Sequence, residues 1–123
     1  MGVSDGDRKA RVREYKEQPP EAGIYRVLNT SAGTALVGST PNLPGMLNRQ
    51  RFQLEMGSHP DRELQDDWNA LGADAFTFEV LDRLEAKDCS AEELAEDLSV
   101  LKDLWLERLR AAGNALYRWS ERG

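Results

Sequence analysis

Gly23-Ile24-Tyr25-Arg26-Val27-Leu28-Asn29-Thr30-Ser31-Ala32-Gly33-Thr34-Ala35-Leu36-Val37-Gly38 is the stretch whose reading decides the fold. Ile24 to Leu28 and Thr34 to Val37 are rich in side chains that fit a pleated, half-buried surface. Between them Ser31-Ala32-Gly33 supplies turn chemistry, and two short strands joined by a Gly-containing loop form a β-hairpin. Strands are therefore expected at 23–29 and 34–39, paired antiparallel.

The pattern changes from period two to helical beyond Thr40. Asn42 can cap a helix whose first turn tolerates Pro44. Leu43, Leu47, Gln50 and Leu54 share one face, with Met46 at its edge, and Gly57 ends the helix. Ser58 followed by Asp61 reads as a capping box for a second helix carrying Leu64, Trp68 and Leu71 and ending at Gly72. Phe76-Thr77-Phe78-Glu79-Val80-Leu81 alternates as a third strand. Ser90 starts a last long helix with Leu94, Leu98, Leu101, Trp105 and Leu109 as its expected stripe, closed by Gly113. The elements expected are strands 23–29, 34–39 and 75–82 and helices 42–56, 60–71 and 91–112. The order β-β-α-α-β-α predicts an α+β fold: a small three-stranded antiparallel sheet with helices packed on it.

At 123 residues, 40% hydrophobic and 31% charged, the chain suits one globular domain. It divides as an N-terminal helix or arm over 1–20, charged and stopped by Pro19-Pro20, a domain over 21–116, and a tail over 117–123 in which Trp119 has no assigned place. No run approaches a membrane span, and the N-terminus lacks the apolar stretch of a signal peptide. Gly6 stands where a myristoylation motif wants Ser or Thr. Cys89 is the sole cysteine, which excludes an internal disulfide and fits a cytoplasmic protein. No second His or Cys stands at zinc-ligand spacing, and no histidine lies near Cys89 in sequence to activate it as a nucleophile.

The net charge of −6 is uneven: residues 1–58 carry eight Lys+Arg against six Asp+Glu, and residues 59–123 carry eight against sixteen. Nucleic-acid affinity comes chiefly from neutralised phosphates, so any DNA contact has to fall on the first half, where Arg49 and Arg51 form the dense basic feature beside the signature strands. The run Glu92, Glu93, Glu96 and Asp97 reads as a solvated helix face.

The ordered set of words resembles the GIY-YIG nuclease family from about Ala22 to about Asn114. Gly23-Ile24-Tyr25 matches the first signature, and Leu36-Val37-Gly38-Ser39 the second, with Leu36 where the family has tyrosine. Asn42-Leu43, His59, Leu64-Gln65, Leu71-Gly72, Phe76, Phe78, Val80-Leu81, Trp105-Leu106 and Asn114 continue the match. The resemblance implies a metal-dependent DNA endonuclease, with Tyr25 helping to activate water and Mg2+ or Mn2+ as cofactor where the protein is active. It also implies an arginine on the first helix to hold phosphate and a metal-binding glutamate on the last. Here those two positions are Met46 and Lys102. A methionine cannot hold a phosphate oxygen, and a lysine repels a cation. Arg49, one turn after Met46, has an arm long enough to serve the same region. Asp103 is expected to face solvent rather than replace the glutamate.

The candidate site is therefore Tyr25, Arg49, His59 and Asn114 for catalysis, Arg49 and Arg51 for phosphate, and no metal ligand at Lys102. The bland alternatives stay open: Tyr25 as a strand aromatic, His59 as a capping or structural histidine. Two readings follow. One is a diverged nuclease, weak or inactive in cleavage. The other is a non-catalytic module on the same fold that binds nucleic acid, weakly and salt-dependently, or a protein partner.

Overall fold

The computed structural model describes residues 21–85 and 90–121; the expected N-terminal arm and Cys89 lie outside the described residues. The elements are β1 (Ala22–Asn29), β2 (Thr34–Thr40), α1 (Leu43–Glu55), α2 (Arg62–Leu71), β3 (Phe76–Leu84), α3 (Ala91–Ala111) and β4 (Ala115–Leu116), with 3-10 turns at Ala73–Ala75 and Arg118–Glu121. β1 pairs antiparallel with β2 in the expected hairpin, Tyr25 opposite Gly38 and Asn29 opposite Thr34. The loop closes with Gly33 donating to the Asn29 carbonyl, and the Asn29 side-chain oxygen accepts from the Ser31 and Ala32 amides. Gly33 has φ of 74°, a conformation in which a side chain is strained.

The sheet has four strands, not three, in the order β3-β1-β2-β4, and β4 joins β2 in parallel through Thr34↔Ala115 and Ala35↔Leu116. A two-residue strand has no alternation to detect, which is why the sequence does not announce it. Beyond β4 the chain continues to cover the β2 edge. The Tyr117 amide donates to the Ala35 carbonyl, and the Ser120 hydroxyl accepts from the Val37 amide and donates to the Ala35 carbonyl. The segment expected as a tail from residue 117 is thus packed into the domain, with Tyr117 and Ser120 fully buried. It satisfies backbone groups that an open sheet edge would leave unpaired.

Period-two alternation sorts the strands onto two cores. Tyr25 and Val27 of β1, Leu36 of β2 and Phe76 of β3 meet α1 and α2 through Leu43, Leu54, Leu64 and Trp68. Ile24, Ala35 and Val37 on the other face meet α3 through Leu106 and Leu109. By the same alternation Phe78 and Val80 of β3 pack on the first core and Leu81 on the second; a register shift opposite Ile24/Tyr25 then places Asp82 opposite Ile24, where its carboxylate accepts from the Trp105 indole of α3.

Two helix details differ from expectation. α2 is capped by Asp61, whose carboxylate accepts from the Leu64 amide, rather than by Ser58. On α3 the buried residues are Leu98, Lys102, Leu106 and Leu109, while Leu101 and Trp105 lie at the margin. The helix is rotated about one residue from its most apolar stripe. Asn42 and Ser90 cap α1 and α3 as expected.

The final described segment is held by a polar triad around the buried Tyr117 and Asn29. The Tyr117 hydroxyl donates to Asp67 at 2.7 Å and accepts from the Asn29 amide at 3.1 Å. Replacing Tyr117 with Phe leaves both partners short of a bond, and a destabilisation of about 1–3 kcal/mol is expected in urea denaturation. A loss below about 0.5 kcal/mol would show that apolar packing alone anchors the segment.

Candidate functional site

The two glycines of the hairpin signature set the geometry of the site. A Cβ on Gly38 would overlap the Tyr25 phenol, and a Cβ on Gly23 would overlap the Asp82 carbonyl of β3. Glycine at 38 lets the Tyr25 ring lie flat across β2; glycine at 23 lets β3 approach β1 at the register shift. Tyr25 is thereby fixed at the floor of a groove of about 260 Å3, between the sheet, α1 and the end of the chain.

Tyr25, Leu36, Arg49, His59 and Lys102 all line this groove, joined by Met46, Gln50, Gln53 and Trp119. Of the expected site residues, Tyr25, Arg49 and His59 come together. Asn114 does not: it is exposed after α3, and its side-chain amide donates to the Leu109 carbonyl as a helix-end cap. Arg51 is also displaced. It lies about half a turn round α1 from Arg49 and stacks its guanidinium over Phe78 at 4.9 Å, so it faces β3 and not the groove. Asp103 is exposed, as expected for its place on α3.

His59 is 7% exposed and fully engaged. Its Nδ1 accepts from the Asp61 amide at 3.0 Å, which places the ring proton on Nε2, and Nε2 donates to Gln50 Oε1 at 2.5 Å. Burial lowers its pKa, against an opposing pull from Asp61, so the ring is neutral. With both nitrogens committed, His59 has no lone pair left for taking a proton from water. It is a structural relay: its backbone amide donates to Gln65, whose own amide donates to the Leu54 carbonyl, so α1, the His59 turn and α2 are locked together.

The relay ends on the tyrosine. Gln50 holds its amide nitrogen 3.5 Å from the Tyr25 hydroxyl and from Met46 Sδ. Burial pushes the Tyr25 phenol up to about 12, partly offset by the nearby Arg49 charge. At neutral pH the hydroxyl is protonated, accepts from Gln50 and is placed to donate into the groove. Gln50 is a contributor that helical periodicity assigns only to the apolar face. A glutamine on an otherwise leucine stripe was the available signal.

Lys102 is 6% exposed and extends from the second core to the groove wall. Desolvation lowers its pKa, with Asp103 pulling the other way. Arg49 is exposed and makes no ion pair among the described residues. Among the described residues no carboxylate lines the groove. Among the described residues no cluster of His, Cys, Asp or Glu has the arrangement to hold a metal ion. The donor set is hydroxyl, amide, guanidinium and ammonium, which suits an anion and does not fit a divalent cation.

One solved structure, that of the catalytic domain of the homing endonuclease I-TevI, matches with a TM-score of 0.61 over 76% of this chain and 94% of that one, at 23% identity. This chain has the fold of that GIY-YIG domain. A mutant form of the I-TevI catalytic domain, from the intron endonuclease, matches with a TM-score of 0.59, 24% identity and coverage of 80% and 92%. No protein-family model and no curated protein matches the sequence. The similarity extends over nearly the whole of that catalytic domain and is a likeness of fold. Among the described residues no helix is long and apolar enough to cross a membrane.

The buried phenols make stability sensitive to alkali. The folded-state pKa of Tyr25 and of Tyr117 lies above the usual value of 10, so their contribution is complete below pH 10 and is lost as pH rises beyond it. Each costs about 1.4 kcal/mol per pH unit while the unfolded chain alone has lost its proton. Lys102 acts in the opposite sense, and comparison with Tyr25→Phe cancels it. The stability difference between wild type and Tyr25→Phe, from urea midpoints, should fall by about 1.4 kcal/mol per unit between pH 10 and about 11.5. A constant difference would mean that the phenol is not shielded.

Proposed function

We propose that this chain is a GIY-YIG-fold domain that binds the phosphate backbone of DNA in the Tyr25–Lys102 groove without cleaving it by a metal-dependent route. The observation that carries this reading is the groove's charge. Arg49 and Lys102 face it, no carboxylate among the described residues does, and the protein as a whole is at −6. A cationic groove in an acidic chain marks where an anion is meant to sit. Arg49 offers the forked donor geometry that matches phosphate oxygens, Lys102 offers a point charge, and the Tyr25 hydroxyl adds a neutral donor.

The same residues argue against hydrolysis in the manner implied by the resemblance. Phosphodiester cleavage needs an activated nucleophile and positive charge fixed against the developing anion. Tyr25 is held protonated and His59 has both nitrogens bonded, which leaves no general base of ordinary strength among the described residues of the groove. Lys102 stands where the resemblance puts the metal-binding glutamate. Met46 stands where it puts the phosphate-holding arginine, and Arg49, one turn along α1, takes over that reach.

Purified protein with Mg2+ or Mn2+ is expected to leave supercoiled plasmid intact. Robust metal-dependent nicking that vanishes in Tyr25→Phe would overturn the reading and establish an enzyme. Gain of nicking by Met46→Arg with Lys102→Glu would show that those two groups alone were missing and that the protonated Tyr25 is no obstacle to cleavage.

Binding is tested by titrating labelled DNA at two salt concentrations. Arg49→Ala with Lys102→Met, which keeps the apolar stem of the lysine, should weaken binding by about ten- to a hundredfold. It should also reduce the salt slope by one to two phosphate contacts, about 0.9 each for duplex. Binding unchanged in that double variant would remove the groove from the interaction and favour a protein-binding role for the fold.

A further inference from the structure

Pro60 and Trp119 are shared by two cavities of different chemistry. On one side lies the cationic groove. On the other is a cavity of about 380 Å3 bordered by Asp61, Arg62, Glu63 and Arg118. Two arginines there face two carboxylates, so the second cavity offers donors and acceptors with little net charge. A phosphate is favoured in the first and gains little in the second. A neutral heterocycle, with donors and acceptors on its edge and flat apolar faces, is favoured in the second.

The wall between them is built to hold a ring in place. Trp119 is half-buried and packs against the first core. Its backbone amide donates to Asp61 Oδ2 at 3.0 Å, while Oδ1 of the same carboxylate caps α2. Asp61 itself is buried with both oxygens used, so Arg62, Glu63 and Arg118 remain to address the edge of a guest. An indole anchored at the boundary between an anion groove and a neutral cavity matches a nucleotide, whose phosphate and base differ in this way.

We infer that the groove takes an unpaired nucleotide, with its phosphate between Arg49 and Lys102 and its base laid on Trp119 in the adjoining cavity, so that single-stranded DNA is bound in preference to duplex. This rests on the phosphate-binding reading above and adds the substrate class. A base inside a duplex is stacked between its neighbours and reaches a protein ring only after unstacking; a base in a single strand has a face available. The strand is also slender, which suits a groove set in an acidic surface.

The test is fluorescence anisotropy at low salt with a short labelled oligothymidylate and a labelled hairpin duplex of equal length. It is run on wild type, Trp119→Ala, Trp119→Phe and Arg49→Ala/Lys102→Met, with thermal melting to confirm folding. Wild type is expected to prefer the single strand by about tenfold or more. Trp119→Ala should lose about tenfold on the strand and little on the duplex, and Trp119→Phe, which keeps an aromatic face, should retain most of the affinity. Should Trp119→Ala unfold, Trp119→Leu keeps apolar bulk without a stacking face and makes the same comparison. Equal affinity for strand and duplex, or strand binding unaltered when the aromatic is removed, overturns the inference. If the Arg49/Lys102 variant then still loses binding, the phosphate reading survives alone. If that variant binds like wild type, the phosphate reading fails as well.

Discussion

The Tyr25 ring occupies the space that a side chain at position 38 would fill, directly across the β1–β2 pair. Much of the site depends on this one close approach. It turns the phenol to lie along the sheet rather than stand out from it, which buries the ring and keeps its proton on. It brings the hydroxyl within reach of Gln50 on α1, and through Gln50 the tyrosine joins His59, Asp61 and the start of α2. The glycine at 23 makes the complementary concession on the other side of β1, where the β3 backbone comes close beside the register shift. A hairpin with ordinary side chains at 23 and 38 could still pair, but it would have neither this groove floor nor this close approach of its third strand.

Charge operates here at short range. With a Debye length of about 8 Å at physiological ionic strength, carboxylates on the outer face of α3 do little to cancel two cations lining a partly enclosed groove. They do oppose the approach of a long polyanion, whose phosphates extend well past the groove. The balance therefore favours contact with few phosphates, made close, in a place where solvent is partly excluded and each contact is stronger. Acidity of the whole chain and basicity of the groove are compatible because they act over different distances.

Much of the architecture was legible in the sequence because it rests on periodicity and on turn chemistry. The hairpin, the third strand, three helices and the Asn42 and Ser90 caps each follow from a local pattern. What escaped depends on contacts remote in sequence. β4 is two residues long and exists because β2 offers a free edge. Asp61 displaces Ser58 as the α2 cap because it also serves His59 and Trp119, an arrangement no capping rule contains. Lys102 is buried against the apolar trend of α3 because its stem crosses the core margin to the groove. Within the site, Tyr25, Arg49 and His59 were brought together from motif and spacing. Arg51 and Asn114 were not, since two residues along a helix point apart and an asparagine after a glycine caps the helix it follows.

The last described segment joins stability to the site. β4 reaches β2 from about eighty residues away in sequence, a pairing whose loop-closure cost is repaid only when the intervening elements are in place. That same segment then fixes Tyr117 on Asp67 and Asn29, and Trp119 on Asp61. Strand pairing, the polar triad and the Asp61 contact lie within seven consecutive residues, Ala115 to Glu121. The side chain that walls the groove is thus held by the bonds that cover the sheet edge. The groove has its full shape only in the completed fold, so loosening this segment removes the wall between the two cavities before it disturbs the hairpin at the floor of the groove.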